Sequence, residues 1–166
     1  MIVYLVRHGI AEDFDPASGK KETERILTVE GRKKVREVGK GLKALGEVPA
    51  RIGSSPLARA RETAEILRTT LGVQAGIEEC PFLAAGPEPD EVVRWLKAKK
   101  CVAAMLVGHF PYLAQTASEL VSGTQGVKMT LKRAGVICVS FEGTPAKARA
   151  TLEWLVQPRH LRGARR

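Results

Sequence analysis

Short apolar runs alternate with segments of helical periodicity along this chain, and that alternation leaves few architectures open. Ile2 to Val6 and Cys101 to Val107 are strand-length runs without a polar face, the pattern of strands covered on both sides. Arg51 to Ser54 is a briefer candidate of the same kind. Between them, Thr28 is placed to cap a helix carrying Val35, Val38, Leu42 and Leu45 at helical spacing. Ser55 is expected to cap a second helix, with Pro56 at its first position and Ala60, Ala64, Leu67 and Leu71 facing the core up to Gly72. A Pro/Gly-rich stretch, Pro81 to Pro89, leads to a helix over Asp90 to Lys99, and Pro111 opens another that ends near Gly123. Two late strands, Val136 to Phe141 and Arg149 to Val156, flank a turn at Gly143 and Pro145; Ala148, Ala150, Leu152, Trp154 and Val156 are expected on one face of the last. Strands alternating with helices imply a three-layer α/β/α sandwich with a mainly parallel sheet. The closeness of the last two strands predicts a hairpin and so one antiparallel strand. One domain over residues 1–156 and a basic tail over 157–166 account for the whole length.

Composition narrows the class. At 44% hydrophobic and 27% charged residues, the chain is neither disordered nor fibrous. No apolar run approaches the roughly 20 residues that span a bilayer, and the N-terminus lacks a basic leader, so no membrane partner is expected. Cys80, Cys101 and Cys138 form neither pairs nor a CxxC, the usage of a cytoplasmic protein with reduced thiols. The net charge of +9 favours an anionic partner. Arg32, Lys33, Lys34, Arg36, Lys40 and Lys43 share one helix, and Arg159, Arg162, Arg165 and Arg166 crowd the C-terminus. Such runs are commonly no more than solvated faces. Aromatic residues make up only 5% and do not interleave with the basic ones, so no nucleic acid partner is expected.

Ligands of open α/β sheets bind beyond the carboxyl ends of the strands. Arg7-His8-Gly9 follows the first strand, Ser54-Ser55-Pro56 and then Arg59 follow the second, and Gly108-His109-Phe110-Pro111 follows the third. Taken singly, His109 reads as a capping or core histidine and Arg59 as a solvated helix arginine. Their joint placement at three strand ends, beside helix N-termini at Ser55 and Pro111, points to a phosphate. Histidine attacks phosphorus as a neutral nitrogen near pH 7, and the arginine fork matches phosphoryl oxygens. Other phosphate chemistries lack their residues. There is no GxxxxGK[ST], and no cysteine has an arginine six positions on. No HxH, HExxH or carboxylate cluster at ligand spacing invites a metal.

In Leu5-Val6-Arg7-His8-Gly9, Leu27-Thr28-x-x-Gly31-Arg32, Ser54-Ser55-Pro56-Leu57-x-Arg59-Ala60-x-Glu62-Thr63-Ala64 and Val107-Gly108-His109-x-Pro111, the chain resembles the histidine phosphatase (phosphoglycerate-mutase-like) superfamily. The resemblance implies that His8 is the phosphorylated nucleophile, that Arg7, Arg59 and His109 surround the phosphoryl group, and that neither a metal nor an organic cofactor takes part. Gly9, Arg25, Ser55 and Phe110 are further phosphate-binding candidates. The short interval between Arg59 and His109 leaves no room for the large capping insertion of the mutases. Relatives acting on phosphate esters usually carry an acidic donor in a Leu-x-Glu segment; here Pro81-Phe82-Leu83-Ala84-Ala85 stands in its place, with Glu78, Glu79 and Glu88 nearby. An alkoxide needs a proton as it leaves, whereas a protonated imidazole leaves a phosphoramidate readily. With the Arg25-x-Leu27-Thr28 segment, the chain looks most like the short bacterial phosphohistidine phosphatases. A phosphorylated protein substrate, steered by the positive field, and inorganic phosphate as product are therefore expected, with Glu22 or Asp15 as a weak acid. The rival expectations are a small-molecule phosphomonoesterase with another acid and a non-catalytic phosphate- or RNA-binding module.

Overall fold

A six-stranded sheet in the order β3-β2-β4-β1-β5-β6 forms the middle layer of the computed structural model, which describes residues 1–86 and 88–161. Its strands are β1 (Ile2–Arg7), β2 (Arg51–Ser54), β3 (Ile77–Glu79), β4 (Ala103–Gly108), β5 (Val136–Phe141) and β6 (Ala150–Val156). The helices are α1 (Val29–Leu45), α2 (Ala58–Leu71), α3 (Pro89–Lys99), α4 (Tyr112–Ser122) and α5 (Pro158–Leu161). Strand β1 pairs in parallel with β4, and β2 pairs in parallel with both β4 and β3. Strand β5 runs antiparallel to both of its neighbours, β1 and β6. The expected hairpin thus supplies the one reversed strand, and the expected three-layer sandwich is the fold.

Alternation along β1 shows how the layers are built, since successive side chains leave opposite faces of a strand. Val3 and Leu5 join the core beneath α3 and α4, with Leu106, Ile137, Leu96 and Leu120. Tyr4 and Val6 join the core beneath α1 and α2, with Met105, Ile52, Leu42 and Leu67. Helix α1 starts where expected, with the Thr28 hydroxyl accepting from Gly31 N at 2.9 Å. Gly31 is needed there because a Cβ would lie 2.1 Å from the Ile10 carbonyl oxygen.

The structure corrects several sequence expectations. Helix α2 begins at Ala58, with Leu57 rather than Ser55 at its N-cap position and no side-chain cap; Ser55 Oγ takes Leu57 N and stands against His109 instead. Leu45, at the end of α1, is 53% exposed and does not join the core. The regular alternation of the last strand is broken by a bulge: Cys138 faces Trp154 while Val139 faces Leu152, leaving Glu153 unpaired. An extra residue reverses side-chain parity. Ala150 therefore packs under α4, whereas Trp154 and Val156 pack on the α1 side and Leu152 is exposed. Strand β3 was not evident in the sequence, being only three residues long at the sheet edge. The first half of the predicted tail belongs to the domain: Pro158 and Leu161 are buried, and a Cβ on Gly41 of α1 would meet the Leu161 carbonyl oxygen at 2.3 Å. Arg162, Arg165 and Arg166 lie outside the described residues. Among the described residues, no helix is long and apolar enough to cross a membrane.

Candidate active site

The carboxyl ends of β1, β4 and β2 lie side by side, because Arg7 pairs with Gly108 and Val107 with Ser54. His8 and His109 leave the sheet at adjacent positions, and His8 N donates to the Gly108 carbonyl at 3.0 Å. Their rings stand 5.1 Å apart at 55°, and both side chains are buried. Ser54 and Ser55, from the end of β2, are fully buried beside them.

Each ring is oriented by a hydrogen bond. His8 Nδ1 lies 2.7 Å from the carbonyl oxygen of Gly9. A carbonyl only accepts, so Nδ1 carries the proton and Nε2 holds the free lone pair. Burial is the main cause that lowers the His8 pKa to about 3; the Gly9 carbonyl opposes it, and His109, Arg59 and Arg7 add to it. The ring is therefore a neutral nitrogen base across the physiological range. His109 Nε2 lies 2.8 Å from Ser55 Oγ, which also accepts from Leu57 N at 3.3 Å. Burial first, and then Arg59, lower the His109 pKa to about 4, with Glu22 opposing and Arg7 assisting.

Arg59 is the second residue of α2 and is buried to 8% exposure. Its Nη1 donates to the Glu22 carbonyl at 3.2 Å and its Nη2 lies 3.1 Å from Glu22 Oε1. The same carboxylate oxygen takes Arg25 Nη1 at 3.0 Å, while Arg25 Nε donates to the Glu12 carbonyl at 2.6 Å. Glu22 thus bridges two guanidiniums from the polar loop whose base is closed by the Ala11–Leu27 bridge. Arg7 donates through Nη1 to the Leu131 carbonyl at 2.7 Å, its guanidinium stands 5.1 Å from the centre of the Phe110 ring, and its buried Nε has no partner among the described residues. Desolvation lowers the Arg7 pKa, and the charge of Arg133 adds to the effect.

Of the predicted site residues, the structure brings His8, His109, Arg7, Arg59, Gly9, Ser55, Arg25, Phe110 and Glu22 into this linked set. Asp15 is not brought to it: exposed, it caps a short turn by accepting from Ala17 N at 2.9 Å. Glu78 pairs with Lys99 and Glu79 stands 3.9 Å from Arg61, so neither turns to the histidines. Glu88 lines a separate surface cleft with Phe82 and Glu91. Two residues had no assigned part in the sequence reading. Thr63 Oγ1 accepts from Gly9 N at 3.0 Å and donates to the Arg59 carbonyl at 2.7 Å, tying the nucleophile turn to the arginine's helix. Glu62 accepts from Leu27 N at 2.7 Å and from Arg32 Nε at 2.5 Å, joining two of the sequence motifs. Their spacing from Arg59 along α2, three and four residues, was the available signal. Among the described residues, no group of three or more His, Cys, Asp or Glu could hold a metal ion.

A buried pair of histidines flanked by arginines thus stands at the carboxyl edge of a mainly parallel sheet, the edge at which open α/β folds take their ligands. The sequence profile of the histidine phosphatase superfamily (branch 1) matches residues 3–81. An uncharacterized protein of Picosynechococcus sp. is 36% identical over 140 residues, covering 82% of this chain and 83% of its own. The chain belongs to the histidine phosphatase superfamily. A solved structure of the protein histidine phosphatase SixA complexed with tungstate superposes with a TM-score of 0.83 at 23% identity, over 97% of this chain and 99% of that one. A phosphoserine phosphatase from Entamoeba histolytica in complex with phosphoserine has the same fold at a TM-score of 0.69 and 17% identity, over 96% and 98% of the two chains.

Proposed function

We propose that this protein hydrolyses phosphohistidine on a protein substrate through a phospho-His8 intermediate. One observation carries the reading: among the described residues, the only carboxylate paired with Arg7 or Arg59 is Glu22, and Glu22 is held between Arg59 and Arg25. The turn beside Gly108 that could have supplied a dedicated acid ends in Leu83, Ala84 and Ala85. A site with a neutral nucleophile and no dedicated acid suits a leaving group that departs as a protonated imidazole.

The chemistry follows from the donors present. The phosphoryl oxygens settle on Arg7, Arg59 and the ring of His109, with Arg25, Gly9, Ser55 and Phe110 shaping the surroundings. His8 Nε2 attacks phosphorus in line, the substrate P–N bond breaks, and the substrate imidazole leaves with its proton. Charge on the transferring group is spread over its equatorial oxygens, where the guanidiniums stabilise it. Ser55 Oγ holds His109 Nε2, which leaves Nδ1 as the ring nitrogen free to meet a phosphoryl oxygen. Water then attacks phospho-His8, a P–O bond replaces the P–N bond, and inorganic phosphate leaves with His8 restored. The scheme calls on no cofactor, and the three free thiols fit the reducing cytoplasm.

Turnover of a phosphohistidine-bearing protein and of an aryl phosphate, measured side by side with His8→Ala as control, tests the proposal. Preference for phosphohistidine, abolished in the variant, is the expected result. Preference for the ester would move the substrate to small metabolites and require an acid, for which Glu22 is the candidate. Phosphate binding without turnover of either substrate would leave only a binding module.

A further inference from the structure

An open cleft of about 420 Å³ adjoins the site and shares Arg7 with it. Lys34 of α1, Lys132 and Arg133 of the turn before β5, and Arg159 of α5 complete its charged lining, together with Gln157, and among the described residues no acidic side chain lines it. Lys34 is paired with Glu30 at 2.5 Å. Lys132 and Arg133 are exposed, and neither forms an ion pair among the described residues. Like charges gathered in this way repel one another and work against folding.

The turn that presents them is held in place. Gln157 accepts from Lys132 N at 2.9 Å and donates to the Thr130 carbonyl at 2.7 Å. Ala134 N contacts the carbonyls of both Arg7 and His8, at 3.0 and 3.1 Å, and Gly135 N closes the turn on the Lys132 carbonyl at 2.7 Å. Ala134 sits at φ +62°, a left-handed conformation unfavourable for a residue with a Cβ. The Leu131 carbonyl accepts from Arg7 itself. Two unpaired cations are thereby fixed to the end of the strand that carries the nucleophile.

We propose that this cleft is a docking subsite for an acidic segment of the protein substrate, carboxylates placed a few residues from the phosphohistidine. The inference rests on the phosphohistidine reading and adds the substrate feature that the enzyme selects. The cations come from separate elements around an open cleft, so their charge is spread. Carboxylates along an extended chain, which advances about 3.3 Å per residue, can meet them in succession, whereas a single second phosphate cannot.

The test uses two phosphohistidine peptides of equal length, one with Asp and Glu flanks and one with Ser and Gln flanks, together with free phosphoramidate. The full-length protein is compared with Lys132→Ala/Arg133→Ala and with Arg133→Gln, each checked for an unchanged unfolding midpoint. The wild type is expected to favour the acidic peptide by about tenfold in kcat/KM at low salt, a preference that fades as salt rises. The double variant is expected to lose that preference through KM, with the neutral peptide and phosphoramidate changed less than about twofold. Equal turnover of both peptides by the wild type would overturn the docking subsite and leave the phosphohistidine reading intact. Turnover of neither peptide, with a bisphosphorylated sugar hydrolysed instead, would overturn both. An RNA oligomer that inhibits through Lys132 and Arg133, without any acidic-peptide preference, would also refute the proposed occupant.

Discussion

Replacing His8 by asparagine is expected to make the fold less sensitive to mild acid. The imidazole has an ordinary pKa of 6.5, and burial holds it down to about 3 in the folded protein. An unfolded chain therefore takes up a proton below about pH 6.5 that the fold refuses until near pH 3. The folded-state value is depressed, so this contribution to stability is complete above pH 6.5 and is lost as pH falls through that window. Between about pH 8 and pH 5.5 the linkage amounts to roughly 1.4 kcal/mol for this one ring. His109, lowered to about 4, adds a similar amount over the same interval. In a domain of this size each kcal/mol moves the melting temperature by about 2–4 °C. Denaturant or thermal unfolding in phosphate-free buffer at both pH values, for wild type and His8→Asn, reads the difference directly. The variant should lose roughly 1.4 kcal/mol less than the wild type on acidification. Identical losses would mean that His8 titrates in the fold as it does in water. His8 would then not be a nucleophile kept neutral by burial, whatever the catalytic result.

Three further outcomes follow from the same geometry. Glu22→Gln removes the carboxylate that competes for Arg59 and Arg25, so inorganic phosphate or tungstate should inhibit at a several-fold lower concentration; an unchanged inhibition constant would place the anion elsewhere. Ser55→Ala leaves His109 Nε2 without its hydroxyl partner, and kcat should fall about tenfold with a smaller change in KM, whereas a change confined to stability would reduce Ser55 to a packing role. Gly31→Ala forces a methyl to within 2.1 Å of the Ile10 carbonyl, and a lower denaturation midpoint equivalent to about 2 kcal/mol or more is expected. An unchanged midpoint there would mean that the loop entering α1 yields freely.

Much of the architecture was legible because it follows from local rules. The all-apolar run from Ile2 to Val6 can only be a strand covered on both faces, and Thr28 announces α1 because a hydroxyl there satisfies an orphan backbone donor. The grouping of Arg7, His8, Arg59 and His109 was legible for a related reason: parallel strands deliver whatever follows them to one edge. Other features are not local. The bulge opposite Cys138 is decided by how β6 fits β5 and both helical layers, so a perfect alternation in the sequence misassigned Leu152. Ser55 has the chemistry of a helix cap, yet His109, 54 positions away, stands within hydrogen-bonding reach of its oxygen. Glu22 and Asp15 were indistinguishable as acids within a polar loop. Closing that loop set Glu22 on Arg59 and left Asp15 capping a turn in solvent. Short-range periodicity and capping thus settled which segments are strands and helices and where the ligand edge lies. The partners of each side chain at that edge, and the charge of Lys132 and Arg133 brought beside Arg7, depend on contacts between residues far apart in sequence, which only the packed chain establishes.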